Sequence, residues 1–106
     1  MSQENIKKEA AVNQVFVTFF ANGDIIQSYG VSNIKRISTG FYEIQFENPF
    51  ANKYFSCSAS VSNTGGLFVA CTGVSPTQLN VQVISSDGHT PNEAPWLSVI
   101  AVGNVS

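Results

Sequence analysis

The one histidine of the chain, His89, lies in Ser85-Ser86-Asp87-Gly88-His89-Thr90-Pro91-Asn92-Glu93. An imidazole beside a carboxylate and serines has the residue types of a nucleophilic triad, in which Asp87 would orient His89 and His89 would activate a hydroxyl. The spacing argues for something plainer. Asp-Gly and Thr-Pro are turn dipeptides, so a solvated loop is expected, and no serine stands in a GxSxG elbow. A metal site would require Asp and Glu side chains to converge on this single imidazole from distant loops. Outside the N-terminal stretch the carboxylates are Asp24, Glu43, Glu47, Asp87 and Glu93. A glycosidase needs two of them across a cleft, and nothing in their spacing pairs them. Glu43 and Glu47 fall on the outer face of one expected strand, where glutamates serve solubility and edge protection.

Cys57 and Cys71 are not a CxxC pair, so neither a zinc site nor a redox motif is indicated. Phosphate-cradling sequences of the GxGxxG or GxxxxGK[ST] type are absent, and Gly65-Gly66 joins two expected strands instead of opening a helix. The chain is therefore expected not to be an enzyme and to use neither cofactor nor metal. Aromatic and amide groups near turns remain, the materials of shallow sugar-binding sites on β-sandwiches. The candidate ligand loops are residues 63–66, with Asn63 and Gly65, and residues 87–93, with Asp87, His89 and Asn92.

These loops need elements to carry them, and 106 residues suffice for one domain. Charged residues are 11% of the chain against about 25% in an ordinary domain, whereas Ser, Thr, Asn and Gln number 35. With five basic residues and a net charge of -2, the chain lacks the cationic surface that nucleic acid or an anionic bilayer would require. No apolar run approaches the roughly 20 residues of a membrane span, and Met1 leads into polar residues instead of a signal peptide. Synthesis in a reducing cytoplasm is the expectation, which favours free cysteines over the alternative, a cross-strand Cys57–Cys71 disulfide if the pair has suitable geometry.

Residues 1–13 read as an N-terminal arm, with Ser2 placed to cap a short helix through Ala11. From residue 14 to 106 the period is two, with β-branched and aromatic residues between Gly, Pro, Asn and Ser. Strands are expected near 14–21, 25–29, 31–37, 41–47, 53–62, 67–73, 78–84 and 96–102. Eight short strands without a helix-length segment predict an all-β fold, an antiparallel β-sandwich of jelly-roll-like form.

Asn22-Gly23 predicts a type I′ hairpin, opposing Phe20 with Ile25 and Phe19 with Ile26. That ribbon would be apolar on both faces, one lining the core and the other needing cover from elsewhere, such as a second copy. A second hairpin centred at Thr64 would oppose Cys57 with Cys71, Ala59 with Val69 and Val61 with Leu67 on one buried face, leaving Ser56, Ser58, Ser60 and Ser62 wet. In Phe41-Tyr42-Glu43-Ile44-Gln45-Phe46 the alternation sends Tyr42, Ile44 and Phe46 inward and Phe41 outward. The candidate oligomer interface is therefore Phe16, Phe20, Ile25, Tyr29 and Phe41.

Three segments carry a resemblance: Val17-Thr18-Phe19 with Asn22-Gly23, then Ser28-Tyr29-Gly30-Val31-Ser32-Asn33-Ile34, then Ser38-Thr39-Gly40-Phe41-Tyr42-Glu43-Ile44-Gln45-Phe46. Pro49-Phe50-Ala51-Asn52-Lys53-Tyr54 follows, and Trp96-Leu97-Ser98-Val99-Ile100-Ala101-Val102-Gly103 resembles a closing strand. Together, over about residues 14–103, they resemble a β-domain of tailed-bacteriophage tail fibres and related virion proteins. Gly30, Lys35-Arg36-Ile37 and Phe41 depart from that pattern, and Phe41 adds to the suspicion of an interface. The resemblance implies a virion structural protein, a tail-fibre knob, head fibre or capsid decoration. It would be made in the bacterial cytoplasm, self-associate as a homotrimer, contact other virion proteins and be displayed toward host surface glycan. The alternative is a monomeric carbohydrate-binding module.

Overall fold

A computed structural model describes residues 11–62, 67–85, 87–88 and 90–106. Eight strands follow one another: β1 (Val12–Phe20), β2 (Ile25–Tyr29), β3 (Val31–Ser38), β4 (Phe41–Phe46), β5 (Ser56–Val61), β6 (Leu67–Ser75), β7 (Gln78–Ser85) and β8 (Trp96–Asn104). They form two four-stranded antiparallel sheets, ordered β2-β1-β8-β5 and β3-β4-β7-β6. This is the expected all-β sandwich. The first and last strands meet in the longest ladder, from Val12 opposite Asn104 to Phe20 opposite Trp96.

Strict alternation fixes which side of each central strand faces in. Val15, Val17 and Phe19 of β1 and Leu97, Val99 and Ala101 of β8 meet Tyr42, Ile44 and Phe46 of β4 and Leu79, Val81 and Val83 of β7. Aromatic rings close both ends of this core. Phe46, Phe50 and Phe55 cluster with centroids 4.7 to 5.4 Å apart. At the other end Phe19 and Tyr42 meet edge to face at 5.0 Å. The Tyr42 hydroxyl donates to the Ala21 carbonyl at 2.6 Å, which satisfies the one polar atom of a fully buried ring.

Gly40 shows what the tight β3–β4 turn demands. Its φ is +71°, and a Cβ there would overlap the Asn92 carbonyl oxygen and approach that of Val83 to 2.8 Å. Its own carbonyl accepts the Val83 N–H at 2.8 Å, so this turn is bonded directly to β7, and the Asn92 N–H in turn donates to the Val83 carbonyl at 3.1 Å.

Three local expectations differ from the structure. β1 begins at Val12 and not Gln14, and the Val105 N–H donates to the Ala11 carbonyl at 3.0 Å, because β8 is long enough to pair that far. The remainder of the expected arm helix lies outside the described residues. The Asn22-Gly23 hairpin is not type I′, since among the described residues none other than glycine has positive φ. Gly23 N–H donates to the Phe20 carbonyl and Phe20 N–H to that of Asp24, a three-residue loop with Gly23 at φ +96°. The Asn22 side chain accepts the Asp24 N–H at 2.9 Å, which favours this turn over one with Asn22 at positive φ. The register then shifts by one residue: Phe19 opposes Ile25, and the expected pairing resumes from Thr18 opposite Gln27.

The third difference is larger. β5 and β6 do not form a hairpin: β5 pairs with β8 in one sheet and β6 with β7 in the other. β6 instead finds β7 across the short Pro76-Thr77 connection, with Ser75 opposite Gln78. The β5–β6 link is long enough to cross the roughly 10 Å between stacked sheets. Cys57, Ala59, Val61, Leu67, Val69 and Cys71 still all face the core, as the alternation predicts, but from opposite sheets.

Candidate self-association surface

The outward residues of the first sheet form continuous rows across its strands. One row runs Tyr29, Phe16, Ile100, Ser58, from β2 through β1 and β8 to β5. The next runs Gln27, Thr18, Ser98, Ser60, and beyond it Phe20 stands beside Trp96. On the other side Gln14, Val102 and Ser56 complete the face. Phe16 and Tyr29 stack with centroids 6.1 Å apart and planes 17° from parallel. Their side chains are not hidden: Tyr29 is 61% exposed, Phe20 48%, and Trp96 and Ile100 44% each.

The polar row stitches the face together. Thr18 and Ser98 hydroxyls share a hydrogen bond of 3.1 Å, so they offer a neutral seam between two apolar bands. A shallow depression of about 170 Å³ lies there, lined by Phe16, Thr18, Ser58, Ser60, Ser98 and Ile100. None of the 29 residues of β1, β2, β5 and β8 is Asp, Glu, Lys or Arg. A sheet face with exposed aromatics and no charge can be covered without desolvating an ion.

The expected interface residues divide by sheet. Phe16, Phe20 and Tyr29 share this face, and Ile25 stands at its β2 edge, opposite Phe19. Phe41 does not join them. It points outward from the second sheet with Glu43 and Gln45, half-buried beside Gln82, in a depression of about 200 Å³ with Ala70, Thr72 and Asn80. Glu43 there is on a central strand between Lys35 and Asn80, not at an edge, and Glu47 lies just beyond the strand. Trp96, Ile100 and Val102 were missing from the sequence-based set. Their outward direction follows from the alternation of Leu97, Val99 and Ala101, but their place beside β1 depends on pairing with Phe20, Phe16 and Gln14 at the far end of the sequence.

The two loop candidates among the described residues, Asp87 and Asn92, are engaged by their own loop. Asp87 accepts hydrogen bonds from Ser85 Oγ at 2.7 Å, the Thr90 N–H at 3.0 Å and Thr90 Oγ1 at 2.8 Å. Asn92 Oδ1 accepts the Glu93 N–H at 2.8 Å. Asn63, Gly65 and His89 lie outside the described residues, and so does any His89–Asp87 dyad. Glu93 pairs with Arg36 near the surface, and Asp24 Oδ2 accepts from Asn22 Nδ2 at 3.1 Å. Two inward-facing groups titrate unusually: burial pushes the Tyr42 phenol up, and it pushes the half-buried Cys71 thiol up to about 12, with neighbouring Cys57 adding to the shift. No protein-family model matches this chain, and neither a curated protein nor a solved structure does.

Proposed function

We propose that the chain is a structural protein of a bacteriophage particle, a small β-sandwich that assembles as a homotrimer through the outer face of the β2-β1-β8-β5 sheet. The observation that carries this reading is the charge-free face itself, on which Phe16, Phe20, Tyr29, Trp96 and Ile100 stand exposed together. Apolar area removed from water returns roughly 25 cal/mol per Å², and here no buried charge opposes it. The resemblance of residues 14–103 to tail-fibre and virion domains supplies the biological setting and the number of copies. The other sheet, with Lys35 and Glu43 on its wet face, is the side turned to solvent or to other virion proteins. Display as a tail-fibre knob, head fibre or capsid decoration follows from the same resemblance. Contact with a host glycan through Asp87 and Asn92 gains no support, because both side chains close their own turns.

Mass spectrometry of purified particles tests the setting. The chain is expected among the stoichiometric structural components. Particles rich in capsid and tail proteins but lacking it would overturn the proposal.

A further inference from the structure

The sandwich pinches together along one side. β5 is the outer strand of the first sheet and β6 the outer strand of the second, and they share no ladder. Their Cα atoms nevertheless come within 8 Å, closer than the roughly 10 Å between stacked sheets. Cys57 faces inward from β5 beside Ala59 and Val61, and Cys71 faces inward from β6 beside Leu67 and Val69. Both thiols are free and half-buried, and they are near enough for Cys57 to add to the upward shift of Cys71. Both cysteines sit on outer strands of their sheets and neither is fully buried, which leaves a small reagent a path to them.

We infer that Cys57 and Cys71 are a disulfide-forming pair that locks the two sheets together along the β5–β6 edge when a small disulfide oxidant, such as oxidised glutathione, is present. One cysteine thiolate attacks a glutathione sulfur; a mixed disulfide forms, the glutathione S–S bond breaks, and the departing glutathione thiolate takes up the proton the cysteine lost. The second cysteine thiolate then attacks the protein sulfur of the mixed disulfide, forming the Sγ–Sγ bond and expelling the second glutathione, which is protonated in turn. Two protein thiols are oxidised, and one glutathione disulfide is reduced to two thiols. In a reducing compartment the dithiol persists. The burial that holds Cys71 protonated makes the exchange slower than at an exposed thiol. The cross-link spans residues 57 to 71 and restricts the unfolded chain, so it raises the melting temperature by about 10 °C. This inference rests on sheet geometry and is independent of the proposed assembly.

The test treats the folded, full-length protein with oxidised glutathione in mildly alkaline buffer, then measures intact mass, titratable thiols after denaturation, and thermal melting. The expected product has lost two hydrogens, has no titratable thiol, runs as a single chain without reductant, and melts about 10 °C above the reduced form. Cys57→Ser and Cys71→Ser should each abolish that rise. Persistence of both thiols, stable glutathione adducts, a bond between chains, or an oxidised form that melts no higher than the reduced one would overturn the inference.

Discussion

Across the β2-β1-β8-β5 sheet the outward rows read Tyr29-Phe16-Ile100-Ser58 and Phe20-Trp96, whereas across β3-β4-β7-β6 they read Lys35-Glu43-Asn80-Thr72 and Phe41-Gln82-Ala70. The inward rows of the two sheets are alike, valines, leucines and aromatics packed to near-zero exposure. Folding therefore demands the same of both sheets and cannot account for the difference outside. The second face carries opposite charges side by side and has Lys35 and Arg36 on its edge strand β3, the usual protection against unwanted pairing. The first has no charge, and its edge strand β2 is exposed at every residue. Under the proposed assembly, folding is written on the inner faces and association on one outer face, and substitutions on each should have separable effects.

Phe19→Ala, on the inner row of β1, should have the largest effect, costing about 3–5 kcal/mol in denaturant melts. Phe16→Ala, three residues earlier on the outer row, should cost under about 1 kcal/mol at dilutions where the protein is monomeric. Equal costs would erase the distinction between the faces. The next contrast concerns association. Ile100→Lys places a charge at the centre of the first face and should weaken self-association about 100-fold in sedimentation experiments, roughly 3 kcal/mol. Gln82→Lys, at the corresponding place on the second face, should leave it unchanged.

A third prediction separates inside from outside by pH. The Cys71 thiol ionises at an ordinary value of 9.0 when unfolded and at about 12 when folded, so the folded state holds its proton longer. That contribution is complete below pH 9 and is lost as pH rises from 9 toward 12. The raised Tyr42 phenol acts in the same direction above its ordinary value of 10.0. Stability measured by urea melts should fall over this range, and Cys71→Ala should flatten the fall. A protein whose stability is level from neutral to strongly alkaline pH would contradict the assignment. The smallest effect belongs to the surface: Arg36→Ala breaks the partly exposed pair with Glu93 and should leave the same melts nearly unchanged.

The strands were legible because each is half-buried. Tyr42-Glu43-Ile44-Gln45-Phe46 and Ser56-Cys57-Ser58-Ala59-Ser60 announce their inner and outer sides without reference to any partner. Partners were another matter. Thr18 bonds Ser98 from 80 positions away, and nothing in either segment names the other. The supposed β5–β6 hairpin had the correct inward residues and the wrong sheet, because a strand's alternation is the same whether its neighbour lies beside it or across the core. At Asn22-Gly23 a local side-chain bond to the Asp24 N–H selected the turn, and the hairpin register moved with it. For the candidate surface, the shortage of charge was visible in the composition. Its concentration on one sheet, and the joining of Trp96 and Ile100 to Phe16 and Phe20, depended on the β1–β8 pairing.

Light scattering on the purified protein over a range of concentrations tests the central claim most directly. The account predicts the mass of three chains, falling to one when Ile100→Lys is introduced and staying at three with Gln82→Lys. A native protein with the mass of one chain at every concentration would contradict it.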